Sequence, residues 1–230
     1  IAGLLRAKGL DVRLCLIGSE PSPGCDAARA LEYAQDSEVS FVSLDESLHG
    51  VDLIVDALLG TGASGEVRPH FAEAIQAANQ ASAQILSVDL PSGLSADTGS
   101  GLGECIRADL TVTFIGRKLG LYTCDGPEYA GEIRFADLDV PVDIFEQVPA
   151  VAGCLNYSAE ARLLKPRHRN AHKRSHGHVL VIGGDNGMAG AAIMAAEAAL
   201  YTGAGLVSVA TRNAAAIVAR RPELMVLEVE

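Results

Sequence analysis

Residues 51–66 read VDLIVDALLGTGASGE, and the rest of the chain is organised around them. Val51, Leu53, Ile54 and Val55 form a β-branched apolar run of strand length, which predicts a strand buried on both faces. The run ends in a carboxylate, Asp56, and passes into a glycine-rich loop, Gly60-Thr61-Gly62-Ala63-Ser64-Gly65. A helix is predicted over 68–81. A second apolar strand follows over 85–90, carries Asp89, and runs straight into Pro91-Ser92-Gly93. Two successive strands therefore each deliver an Asp to one sheet edge. Ligands of open α/β sheets bind outside the carboxyl ends of the strands.

The same alternation extends in both directions. Upstream, 1–8 reads as a helix stopped by Gly9, 12–17 as a strand, 26–36 as a helix and 39–42 as a short strand. Downstream, 110–115 is a further strand and 131–135 trims the sheet edge. Strand and helix alternate every roughly ten to fifteen residues, the pattern of βαβ units and a parallel sheet. Near 148–158 the pattern loosens, which places a boundary between units 1–150 and 151–230. A basic stretch over 165–174 leads into a second α/β unit. There a strand at 178–182, a glycine loop at 183–190, a helix at 191–202, a strand at 206–210 and a helix at 214–220 are expected. Helix tail at one end and bare strand at the other, the chain reads as a fragment cut at both ends.

Composition narrows the function. The 230 residues carry a net charge of −11, and only 4% are aromatic, with no Trp. Neither nucleic acid nor an anionic membrane has electrostatic support as a partner, and stacking platforms for single strands are scarce. Residues 1–150 hold 9 Lys/Arg against 23 Asp/Glu, whereas 151–230 hold 9 against 6, a contrast that supports two units. Five cysteines, odd in number and without a C-x-x-C, read as reduced thiols of a cytoplasmic protein rather than zinc ligands. No apolar run reaches the roughly 18 residues of a membrane span.

Gly60, Gly62 and Gly65 satisfy G-x-G-x-x-G between a strand and a helix, with Asp89 downstream as the acid. Such glycines let backbone N–H groups approach a pyrophosphate at a helix N-terminus. The motif alone is weak, but its context favours anion binding over a merely structural turn. A standard Rossmann arrangement fits less well, because Asp56 sets negative charge just before the loop. Strand-end aspartates are often caps or turn formers. Two of them flanking a glycine loop are better read as a site, one holding a hard cation and the other moving a proton. Ser92 could add an oxygen to the cation. Lys118, beyond the 110–115 strand, would reach the same edge, with a solvated surface lysine as an equal alternative. His168, His172, His176 and His178 lie among Lys and Arg, so a phosphate-facing linker outweighs a metal site. The loop at 183–190 lacks the G-K-[ST] of a P-loop.

On the segments VDLIVDALLGTG (51–62), SVDLPSGLSADTG (87–99), ADLTVTFIGRKLGL (108–121), HGHVLVIGGDNGMAGA (176–191), AALYTGAGLVSVAT (198–211) and RPELMV (221–226), the chain resembles the bifunctional NAD(P)H-hydrate repair enzymes. The segments span nearly the whole chain in the family's order. The resemblance implies a three-layer Rossmann-like α/β epimerase domain over 1–150, truncated at its N-terminus. The first βαβ units of a ribokinase-like, ADP-dependent dehydratase domain would follow over 151–230. It implies epimerisation of hydrated NADH and NADPH, coupled to ADP- or ATP-dependent dehydration. By that resemblance Asp56 and Ser92 are potassium ligands. Gly60, Thr61, Gly62, Ala63, Ser64, Gly65, Glu66 and Asp89 contact the hydrated dinucleotide, and Ala191 lines the dehydratase pocket. Asp89 and Lys118 are the candidate catalytic pair. Mg2+ would accompany ADP or ATP, and a homo-oligomer is compatible with the reading.

The family's upstream asparagine/glycine loop is expected before Ile1, and the dehydratase nucleotide site and its aspartate beyond Glu230. The family's His-Lys-Gly reads His172-Lys173-Arg174 here. Two rivals remain open on the residues alone: an NAD-dependent dehydrogenase with Asp89 on the ribose, and a non-catalytic dinucleotide-binding module.

Overall fold

All the strands pair in parallel, as the alternation of strand and helix demands. The computed structural model describes residues 1–229, and its contacts separate a unit Ile1–Gly153 from a second unit beginning at Cys154.

In the first unit β1 (Arg13–Leu14) pairs with β2 (Ser40–Phe41). β3 (Leu53–Asp56), β4 (Gln84–Val88), β5 (Leu110–Phe114) and β6 (Glu132–Ala136) form a four-stranded sheet in that order. Asp56 stands opposite Ser87 and Val88 opposite Val112, so β3, β4 and β5 end at the same side of the sheet, each a residue or two beyond the one before. The helix Pro69–Gln80 crosses from β3 to β4. Proline suits its first turn, where no N–H partner is needed. Its buried face sets Ile75 between two small residues, Ala74 and Ala78. Ile75 and Ala78 pack with Ile85, Ile106 and Ala108. The helix Asp26–Asp36 falls where its pattern predicts. The short helix Leu44–Leu48 was not read, although its capping box, Ser43 with Glu46, is a sequence signature.

Two expectations need correcting. The predicted strand at 12–17 is reduced to Arg13–Leu14. The strand through Val51–Val55 is not buried on both faces: Leu53 is 50% exposed, and β3 stands at the edge of its sheet. On its open side lies a cavity of about 480 Å³, lined by Val12, Leu14, Leu53, Val55 and Leu58 among others, in place of a neighbouring strand. An apolar run identifies a strand; it does not say how many neighbours that strand has.

In the second unit β7 (His178–Ile182), β8 (Leu206–Thr211) and β9 (Met225–Glu228) lie in that order. The helix Ala189–Tyr201 packs Ala192 and Ala196 into a cluster with Val207, Val209 and Ile217. Ala-rich composition serves this close helix–sheet approach. Among the described residues no helix is long and apolar enough to cross a membrane.

The connection from β4 to β5 is long but ordered around its own core. Leu90, Leu94 and Ile106 are buried, and Leu94 bridges to Gly101. The Leu102 N–H donates to the Gly93 carbonyl at 2.8 Å. Gly93 has φ +91, and a Cβ there would lie 2.1 Å from the Glu104 carbonyl oxygen. Backbone cannot yield as a side chain can. Gly93→Ala is therefore expected to destabilise the unit by about 2 kcal/mol or more, read as a lowered midpoint in denaturant unfolding.

Candidate functional site at the carboxyl edge of the sheet

Asp56 closes β3 and is only 3% exposed. A buried carboxylate needs compensation, and four donors supply it. One oxygen accepts from the Ser92 hydroxyl at 2.5 Å and from the Leu58 N–H at 3.3 Å. The other accepts from the Ser87 hydroxyl at 2.8 Å and from the Ser92 N–H at 2.9 Å. The Ser92 hydroxyl in turn accepts from the Leu59 N–H at 2.9 Å, immediately before the glycine loop. Asp56 and Ser92 are thus in contact. The sequence carries no signal for Ser87, whose part in the site follows from its register position opposite Asp56.

Asp89 follows β4 with φ +71, a left-handed conformation that Asp tolerates better than most residues. Its N–H still donates to the Val112 carbonyl at 2.7 Å. One carboxylate oxygen accepts from the Lys118 ammonium, from the Phe114 N–H at 3.0 Å and from the Thr113 hydroxyl at 3.3 Å. Side-chain exposures of 17% for Lys118 and 25% for Asp89 leave the pair screened but reachable.

A strained turn brings Lys118 back to that position. Gly116 N–H bonds the Phe114 carbonyl at 2.6 Å across Ile115, whose φ is +62. A β-branched residue in this region is an outlier, costing on the order of 1–3 kcal/mol, and such strain collects at functional sites. The reversal lets the Lys118 ammonium also donate to the Phe114 carbonyl at 2.8 Å. Beyond it the Gly120 N–H is held by the Ala96 carbonyl at 2.7 Å.

The loop Gly60–Gly65 leaves the same end of β3. Thr61, Gly62, Ser64, Gly65 and Glu66 are exposed and Ala63 is half-buried. A Cβ at Gly60 or Gly62 would meet nothing within 4 Å, and neither has positive φ. Neither backbone conformation nor packing within the protein asks for glycine at these two positions. What the absent side chains leave is open backbone, the feature that close approach of an anion needs.

Ala191 is exposed in the first turn of the helix Ala189–Tyr201. His178 bonds the Ser208 hydroxyl at 2.8 Å, and His172 lies 3.3 Å from that of Ser175. Among the described residues no three His, Cys, Asp or Glu side chains are grouped to hold a metal ion. Burial pushes the Cys105 thiol up, so it stays protonated, and it donates to the Gly93 carbonyl. It braces the loop and is no nucleophile.

Comparison with known proteins matches residues 1–120 to the family described as YjeF-related protein N-terminus. The chain belongs to that family. Residues 179–230 match a second family, described as NAD(P)H-hydrate dehydratase. A Coxiella burnetii protein named bifunctional NAD(P)H-hydrate repair enzyme Nnr is 43% identical over 98% of this chain and 47% of its own length. The Escherichia coli protein of the same name is 42% identical over 99% of this chain and 45% of its own. The chain thus spans less than half the length of these relatives. Among solved structures, yeast ynu0 superposes with a TM-score of 0.53 at 17% identity, over 68% of this chain and 67% of that one, a likeness of fold alone. The segments carrying Asp56, Asp89, Ser92 and Lys118 all fall inside the YjeF-related match.

Removing the Asp56 carboxylate strands several buried donors at once. Asp56→Ala is expected to cost on the order of 2–4 kcal/mol, measured by chemical unfolding of the intact protein. An unchanged unfolding midpoint would contradict the role of this carboxylate as the hub.

Proposed function

We propose that residues 1–150 form an NAD(P)H-hydrate epimerase domain and that 151–230 open an ADP-dependent NAD(P)H-hydrate dehydratase domain of one cytoplasmic repair protein. The observation that carries the epimerase reading is the Asp89–Lys118 pair, clamped at the carboxyl edge of a sheet that belongs to the YjeF-related family. The names of the Coxiella and Escherichia relatives, and the dehydratase match over 179–230, support the second half. Five free cysteines fit a reducing compartment.

On this reading the substrate is NADH or NADPH hydrated on the nicotinamide ring. Its R and S forms differ at the hydrated carbon, and interconversion requires a proton to be moved there. Asp89 serves that proton transfer. Lys118 balances the charge of the carboxylate and, with the Phe114 N–H, prevents it from turning away. The open N–H groups of Gly60, Gly62 and Gly65, with Thr61, Ser64 and Glu66 beside them, hold the pyrophosphate and ribose.

Potassium fits the donor set around Asp56. The ligands are hard oxygens with one formal charge, which suits a weakly held monovalent cation. Two of the four donors on the carboxylate are the hydroxyls of Ser87 and Ser92, which rotate freely and are acceptors as well. Asp56 and Ser92 would hold the ion, and its contribution when bound is to neutralise Asp56 beneath the glycine loop. In the second unit Ala191 would face the hydrated nicotinamide. Asp185, the acid of its glycine loop, is paired with Arg212 at 3.7 Å. ADP or ATP with Mg2+ stays part of the proposal for the whole protein.

Asp89→Asn keeps size and hydrogen bonding but removes the base. Epimer interconversion in the intact protein should fall by roughly a hundred- to ten-thousand-fold, while binding of hydrated dinucleotide persists. Weakened binding with intact turnover would instead put Asp89 on the ribose, as in a dehydrogenase. For the cation, replacing potassium by tetramethylammonium in the wild-type assay should slow epimerisation. Equal rates in the two salts would remove potassium from the account.

A further inference from the structure

Asp89 uses its two oxygens unequally. Three donors converge on one of them: Lys118, Phe114 and Thr113. The other has no hydrogen-bond partner among the described residues. Thr113 itself is fully buried, at 0% exposure, on β5 opposite Phe135 of β6. Among the described residues its hydroxyl bonds Asp89 alone. Valine would fill the same volume in a buried strand with no polar atom to satisfy. A buried hydroxyl kept for a single partner points to what that partner needs.

We infer that Thr113 is a positioning residue for the epimerase chemistry. By donating to one oxygen of Asp89 from inside the sheet, it sets the rotamer that turns the other oxygen outward as the proton-carrying atom. The inference rests on the proposed role of Asp89. The three donors differ in kind: Lys118 is a charged side chain held also by the Phe114 carbonyl, Phe114 gives a fixed backbone N–H, and Thr113 gives a side-chain donor locked by β-branching and burial. The hydroxyl, together with Lys118 and the Phe114 N–H, opposes rotation of the carboxylate about its Cβ–Cγ bond. No covalent step is added; one oxygen stays anchored while the other serves the proton transfer.

The test compares Thr113→Val, Thr113→Ser and Asp89→Asn in the intact protein, assayed for epimer interconversion. Thr113→Val should lower kcat by roughly five- to thirtyfold, in line with losing a hydrogen bond to a charged group, with KM for hydrated NADH changed by less than about twofold. Thr113→Ser, which keeps the hydroxyl and loses only a methyl group, should restore kcat to within about threefold of wild type. If the valine variant does not fold, Thr113→Ala, which also lacks the hydroxyl, gives the same reading. A wild-type kcat in Thr113→Val overturns the inference. So does a serine variant as slow as the valine variant, because packing of the methyl group would then be the cause. Full activity in Asp89→Asn overturns the proton-transfer reading itself, a separate result from either Thr113 outcome.

Discussion

A carboxylate that is 3% exposed, Asp56, ties three separate parts of the chain into one edge. Its donors come from the loop after β3, from the last turn of β4 pairing, and from the Pro91-Ser92-Gly93 turn. An ionised group inside a protein must be met by dipoles aimed at it, so none of these segments is free to drift without leaving a charge uncompensated. Ser92 passes the constraint on through the Leu59 N–H to the root of the glycine loop. The loop itself is exposed. Rigid anchorage with an open backbone is the combination that lets a loop carry binding without folding shut.

One strand over, the same residue type is used in the opposite way. Asp56 has both oxygens committed, whereas Asp89 has one committed and one open. The difference is geometric. Asp56 points into the ends of β3 and β4, where serines meet it. Asp89 turns back in a left-handed conformation over the end of β5, where it meets a backbone N–H, a threonine and a lysine. Two strained residues, Asp89 and Ile115, flank this arrangement. Such conformations persist only where surrounding packing over-determines them, and here the buried cluster Leu90, Leu94, Leu121 and Ala130 does so. Strain next to the Asp89 carboxylate is thus held by an apolar core built from the two loops that follow β4 and β5.

The family match and the local geometry contribute different things. Membership over 1–120 says which chemistry to look for at the sheet edge. It does not say which oxygen of which carboxylate is available, and that comes from hydrogen bonds counted atom by atom. In the second unit the balance is reversed. The dehydratase match over 179–230 is specific, while Ala191 stands exposed and Asp185 is spent on Arg212, so the relatives carry most of the reading there.

The sequence by itself determined the element types, the parallel pairing and the strand ends that carry Asp56 and Asp89. These follow from short-range rules: β-branched runs, helix periodicity, and the glycine and proline that stop them. It also placed Lys118 within reach of the same edge, without separating that reading from a solvated lysine. It could not show that β3 lacks a neighbour on one side, because an apolar run looks the same at a sheet edge as at its centre. Nor could it show Ser87 beneath Asp56 or Thr113 beneath Asp89. Both depend on register between strands roughly thirty residues apart, a relation that exists only once loop closure has been achieved. The division of labour between the two aspartates was the last to be settled. Identical side chains become a buried hub with both oxygens bonded or a carboxylate with one oxygen open according to the direction in which the backbone turns them, and only the tertiary structure decides that.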